Sequence, residues 1–165
     1  MCNDFFMFKG VVMKKGLVQV VLGVVALSVT AVASAQVKPE DQIRFRQAGY
    51  SFAAWNMGKI KANLDGNFNK DQVAAAATTI AAIANSGMGA LFGPGTEKAV
   101  GNRQTAVKPE LFQNMPEVAR LAGDFSSAAN KLSAAAATGD QAAVKAAFGE
   151  VGQTCKACHD KFRKE

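Results

Sequence analysis

An all-α fold, a left-handed antiparallel four-helix bundle, is predicted by three features of the 165-residue sequence. Apolar residues recur at three- and four-residue spacings in four separate stretches after residue 38, as amphipathic helices require. No stretch alternates apolar and polar residues in the manner of a half-buried strand. One long segment, residues 87–115, carries Gly89, Gly93, Pro94, Gly95 and Gly101, which interrupt regular structure between helices two and three.

The segment ahead of the helices reads as a targeting signal. Lys14-Lys15 form a positive n-region, Leu17 to Val32 an apolar core, and Ala33-Ser34-Ala35 a small-residue cleavage site before Gln36. Residues 1–35 are therefore expected to be a secretory signal peptide, with Met13 as the true start. The apolar run approaches membrane-spanning length, so an uncleaved anchor is the competing reading. Cleavage leaves residues 36–165 as one domain, long enough to bury a sizeable core. Lys9, Lys14 and Lys15 against Asp4 account for +2 of the formal charge of +6, so the domain carries +4. No basic run is interleaved with aromatics, which leaves nucleic-acid binding without support.

The first helix is expected from Pro39-Glu40-Asp41, with proline at the start and acids in the first turn, to about Leu64. Its inward line is predicted as Ile43, Gln47, Tyr50, Ala53 or Ala54, Met57, Ile60 and Leu64. The second runs from about Lys70 to Asn85 with Val73, Ala76, Ile80 and Ile83 on one stripe. The third runs from near Pro116 to about Ala137, with Val118, Leu121, Phe125, Ala128, Leu132 and Ala135 inward. Thr138-Gly139-Asp140 is the turn, and Asp140 the expected N-cap of the fourth. That helix carries Val144, Phe148, Val151, Cys155, Cys158 and Phe162 at spacings of four and three. The segment 87–115 is a crossover or functional loop, in which Leu91-Phe92 is apolar enough to pack under something flat.

Cys155-Lys156-Ala157-Cys158-His159 has the C-x-x-C-H spacing of a c-type haem attachment site. On a helix, at about 100° per residue, both cysteines and the histidine fall within one sector of roughly 100°. Two thiols can then be tethered to the vinyl groups of one macrocycle while the imidazole of His159 meets its iron. A zinc site would need a second Cys/His pair, which the chain lacks. A thioredoxin-like redox pair would sit beside a βαβ pattern, which is also missing. His159 is the only histidine, so two histidines of one chain cannot ligate the iron. One covalent haem c per chain is the expectation. Both cysteines fall on the core seam of their helix, which places the macrocycle inside the bundle.

K-P-E-D and R-F-R-Q-A-G-Y in the first helix, L-F-G-P-G-T-E in the connection and A-A-F-G-E-V-G-Q-T-C-K-A-C-H-D-K-F-R near the end together resemble cytochrome c prime, of the class II c-type cytochromes. The resemblance covers essentially all of residues 36–165. It implies a five-coordinate, high-spin haem with His159 proximal and no protein ligand opposite. Tyr50, four after Arg46, matches the residue facing the vacant side, where low-spin relatives place Met. Phe92 matches an aromatic of the distal pocket, Arg46 and Gln47 match residues near the propionates, and Arg163 matches a base beside the imidazole. Without the resemblance, Tyr50 reads as a core aromatic and Arg163 as a complement to the helix dipole.

The function expected on these grounds is binding of nitric oxide and carbon monoxide at a crowded distal site in the periplasm. Nitric oxide scavenging or carriage is the expected role, with electron transfer from a donor that the sequence does not identify as a second capacity. The alternative is a low-spin electron-transfer cytochrome ligated by a methionine, for which Met57 is the rival to Tyr50. An enzyme is not expected, because no distal histidine is available for acid–base work. A homodimer formed through the first two helices is expected from the resemblance and from small residues around Ala75–Ala77.

Overall fold

The computed structural model describes residues 37–165; the expected signal, residues 1–35, lies outside them. The described residues form four long helices: α1 (Pro39–Asp65), α2 (Lys70–Ala84), α3 (Met115–Thr138) and α4 (Gln141–Phe162). Two short 3₁₀ turns, Met88–Leu91 and Pro109–Gln113, interrupt the connection between α2 and α3. The remaining regular pairing among these residues is two isolated bridges, Val100 with Arg103 and Val107 with Arg163.

Each helix begins and ends for a local reason. Proline opens α1, where its missing N–H costs nothing, and Glu40 and Asp41 complement the dipole of the first turn. Asn69 caps α2, its side chain accepting from the Gln72 N–H at 3.0 Å. The same turn is tied to α1 by Asn63, whose side-chain oxygen accepts from the Asn69 N–H at 2.9 Å. At the end of α3, Gly139 takes φ 80°, a left-handed conformation that residues bearing a Cβ rarely adopt. Asp140 then caps α4, accepting from the N–H groups of Ala142 and Ala143 at 2.9 and 3.2 Å. Asp140→Ala should therefore cost about 1–2 kcal/mol of stability, read as a lower denaturant midpoint with an unchanged slope.

The short turns force α1 against α2 and α3 against α4 as antiparallel neighbours. The main core joins all four helices through Ile60, Val73, Ile80, Leu132, Val144 and Val151, all fully buried. Ala76, Ala77, Ala129 and Ala136 keep the interhelical spacing small. A second apolar cluster lies nearer the C-terminal end of α4, built on Leu111, Val118, Leu121 and Phe162. Sequential helices pack closely along their lengths, whereas α1 and α4 approach each other far less. The bundle is thus a row of tight pairs with a loose seam between its first and last helices.

Two details differ from the sequence reading. The buried line of α1 is Gln42, Ile43, Arg46, Ala53, Asn56, Ile60 and Asn63, while Gln47 and Tyr50 are exposed and Met57 and Leu64 half-buried. The displaced line contains polar side chains that a hydrophobic pattern counts as outward. They are buried because they find partners: Asn56 donates to the Phe52 carbonyl at 2.9 Å and Asn63 to that of Lys59 at 3.0 Å. Ala76 and Ala77 likewise point into their own core, leaving only Ala75 of that trio exposed. Of the small residues expected to face a second copy, Ala75 is the one left at the surface.

Candidate functional site

Cys155 and Cys158 lie one turn apart on α4 as free, half-buried thiols. Burial pushes both thiols up from the ordinary cysteine range, so they are held protonated and uncharged. Cys155 packs against the main core and Cys158 against the second cluster. The pair therefore spans the gap between two apolar bodies. A flat apolar group tethered to both sulfurs there would join the two clusters into one core.

His159 follows directly and is exposed, opening onto a depression of about 400 Å³ lined also by Lys108, Asp160, Arg163, Lys164 and Glu165. Partial burial and the guanidinium of Arg163 lower its pKa, against a smaller opposing pull from Asp160. The imidazole is thus neutral at pH 7, the form that binds a metal. Arg163 is placed there by its own backbone, whose N–H bonds the His159 carbonyl at 3.0 Å and which bridges Val107 of the connection.

Across the loose seam stands Tyr50. Its ring centroid lies 6.5 Å from that of Phe92, with the planes tilted by 51°. The connection brings Phe92 to this position, where the aromatic ring also packs on the second cluster. Tyr50 is 39 % exposed, so it sits on the rim rather than in the core. Desolvation nevertheless pushes its phenol up to about 12, with the two nearby thiols adding to the shift and Arg46 opposing it. The thiol contribution disappears once the sulfurs are thioethers, but the larger cause remains. Ultraviolet titration of this single tyrosine should give a midpoint above the ordinary 10.0. The folded chain holds the proton more tightly than the unfolded one. Tyr50's contribution to stability is therefore complete below pH 10 and is lost as pH rises toward 12.

Arg46 and Gln47 are placed differently from each other. Arg46 is buried and donates four hydrogen bonds, to the carbonyls of Leu91 and Thr96 and the hydroxyls of Thr96 and Thr105. Gln47 is exposed and donates to the Gln104 carbonyl at 2.7 Å. With Gln42, whose side-chain oxygen accepts from the Gly93 N–H at 3.0 Å, they form a polar edge on α1 that grips the connection. The sequence reading missed Thr96, which is fully buried, and Thr105. Nothing about a threonine in a glycine-rich loop marks it as the partner of a distant arginine. Met88 fills a gap over Gly49, where a Cβ would lie 2.7 Å from its terminal methyl.

The donor set fits a c-type haem: two uncharged thiols one turn apart, a neutral imidazole beside them, and aromatic side chains facing an apolar gap. A sequence profile of the family described as Cytochrome C′ matches residues 41–163. This chain belongs to the cytochrome c′ family. It is 58% identical over 152 residues to cytochrome c′ of Allochromatium vinosum, covering 92% of this chain and 99% of that one. A solved cytochrome c′ noted for ligand-controlled dimer dissociation is 62% identical, with a TM-score of 0.78 over 79% of this chain and 100% of its own. Two structures from Alcaligenes xylosoxidans, variants carrying nitric oxide and carbon monoxide, are 31% and 32% identical. Each has a TM-score of 0.69 and covers 78% of this chain and 98% of the other. As a member of the family, the protein is a four-helix-bundle cytochrome with a c-type haem.

Proposed function

We propose that this cytochrome c′ is a periplasmic binding protein for nitric oxide and carbon monoxide, with one haem held by thioether bonds to Cys155 and Cys158. The observation that carries the reading is the seam: thiols and imidazole on α4, Tyr50 and Phe92 opposite, and no second histidine in the chain. The haem, when bound, supplies an iron centre at which a diatomic gas can coordinate. His159 would offer its iron a neutral imidazole nitrogen. Tyr50 and Phe92 would crowd the approach of a gas and exclude bulky ligands. Tyr50 is a neutral phenol at pH 7 and so a poor ligand for reduced iron. Met57 packs on the main core, which supports a filling role for it rather than ligation. The lack of a second histidine for acid–base chemistry supports a binding role over an enzymatic one. Nitric oxide scavenging is the role that follows, and the gas complexes of the Alcaligenes relatives support it.

The protein is a homodimer in this reading, joined through α1. Phe45, Phe52 and Trp55 are 45%, 51% and 56% exposed on one stripe of that helix. The rings of Phe52 and Trp55 stack at 5.3 Å. A rigid aromatic strip of this kind is costly to leave in water and suits a two-fold contact with its own copy.

The test is an intact mass and a pair of optical spectra on exported protein. The mass should exceed that of residues 36–165 by one haem, roughly 616 Da, and acid–acetone should not extract the colour. Ferrous protein should show unsplit visible bands, as high-spin iron does. Sharp, split bands would indicate a strong-field sixth ligand and replace this reading with electron transfer.

A further inference from the structure

Arg46 lies one turn before Tyr50 on α1 and is 3% exposed. Its Nη1 donates to the Leu91 carbonyl at 3.1 Å and to Thr96 Oγ1 at 2.8 Å. Its Nη2 donates to the Thr96 carbonyl at 2.8 Å and to Thr105 Oγ1 at 2.7 Å. The four terminal N–H groups of the guanidinium are thereby all used. The same guanidinium carbon lies 4.9 Å from the centroid of the Phe92 ring, a cation–π distance.

The acceptors are themselves held. Thr96 Oγ1 donates to the Gly93 carbonyl at 2.8 Å, and Thr105 Oγ1 accepts from the Val107 N–H at 3.2 Å. Every protein acceptor of Arg46 is a carbonyl or a hydroxyl of the connection. The arrangement secures geometry: one planar group joins three separate points of the connection, and the ring between two of them, to a single helix.

We infer that Arg46 is a positioning residue of the gas site, clamping the Phe92 wall to α1 so that Tyr50 alone yields to an incoming gas. The inference rests on the gas-binding reading above. Tyr50 stands on the rim, 39% exposed, with no side-chain hydrogen bond among the described residues; Phe92 is gripped from the backbone on both sides and over its face. Loosening the clamp would let both walls move and lower the barrier to entry. A lysine cannot reproduce it, having three donors on one point and no plane. Thr105→Val removes one acceptor of Arg46 at nearly constant shape, together with the longer Val107 N–H bond to the same oxygen, and leaves the Arg46 bonds to Leu91 and Thr96.

The experiment compares full-length haem-loaded protein with Arg46→Lys, Thr105→Val and Thr105→Ser. Losing one hydrogen bond to a charged group should make local opening about tenfold more frequent. Amide exchange at residues 91–96 should then rise about tenfold in Thr105→Val and more in Arg46→Lys. The carbon monoxide association rate should rise at least about threefold in both, and Thr105→Ser should restore both readouts. Should Arg46→Lys fail to take up haem, Thr105→Val alone decides. Faster exchange with an unaltered association rate would reduce Arg46 to a structural anchor and overturn the inference. Unmodified protein that takes up no carbon monoxide would instead overturn the gas-binding reading itself, and the role of Arg46 with it.

Discussion

Tyr50→Ala should raise both the association rate and the affinity of ferrous protein for carbon monoxide by at least about tenfold, equivalent to about 1.4 kcal/mol. The phenol stays neutral and does not compete for reduced iron, so its effect is steric. An incoming ligand must move a ring that packs beside Phe92 with centroids 6.5 Å apart. Such aromatic pairing contributes about 0.5–1.5 kcal/mol beyond area burial, and alanine has no ring to displace. Tyr50→Phe keeps the ring and drops the hydroxyl, so it should stay near the unmodified protein. Flash photolysis gives the rate and a gas titration the affinity. Equal rates for all three proteins would remove Tyr50 from the pathway. Tyr50→Met should place a thioether where the phenol now stands and split the visible bands.

The helices themselves were largely legible. Their ends are announced by residues whose effect is local: Pro39 at a start, Asn69 and Asp140 as caps, Gly139 where a positive φ is needed. The spacing of Cys155, Cys158 and His159 placed them together on one helix, and the structure sets them there on α4. Seam positions of α3 and α4 also matched, since Val118, Leu121, Leu132, Val144 and Val151 are apolar and buried.

The face of α1 was not legible, and the reason is physical. A hydrophobic pattern assumes that polar residues avoid the interior. Arg46, Asn56 and Asn63 enter it because backbone carbonyls and loop hydroxyls receive them, and those partners lie as far as residue 105 along the chain. Conversely, Phe45, Phe52 and Trp55 stay outside although they are large and apolar. Nothing in their spacing separates a stripe that meets the chain's own core from one that stays on its surface. Ala77 was misread in the opposite direction, and Ala76, rightly placed on the inward stripe, was counted on the outer face as well, because alanine suits a tight internal contact and a tight external one equally.

Trp55→Glu should therefore dissociate the proposed dimer, raising its dissociation constant at least about 100-fold, or some 2.7 kcal/mol. Trp55 is 56% exposed in the single chain, stacked on Phe52 at 5.3 Å and capped by the Lys59 ammonium at 4.7 Å. Burying that ring contributes heavily at a contact, while a carboxylate facing its own copy is repelled across the two-fold axis. The folded chain should tolerate the change, because the side chain lies outside both cores. Tyr50 and Phe52 are two residues apart and so point about 160° apart round α1. The helix stands between the gas site and the aromatic strip, and displacing Tyr50 presses on the element that carries the contact. Gas binding should weaken the dimer, and by reciprocity the monomeric Trp55→Glu protein should bind carbon monoxide more tightly than the unmodified dimer. Sedimentation with and without carbon monoxide reads the first effect and a gas titration the second. Unmodified protein that sediments only as monomer at tens of micromolar would remove the contact. A dimer that ignores the gas would keep the contact and cut its link to Tyr50.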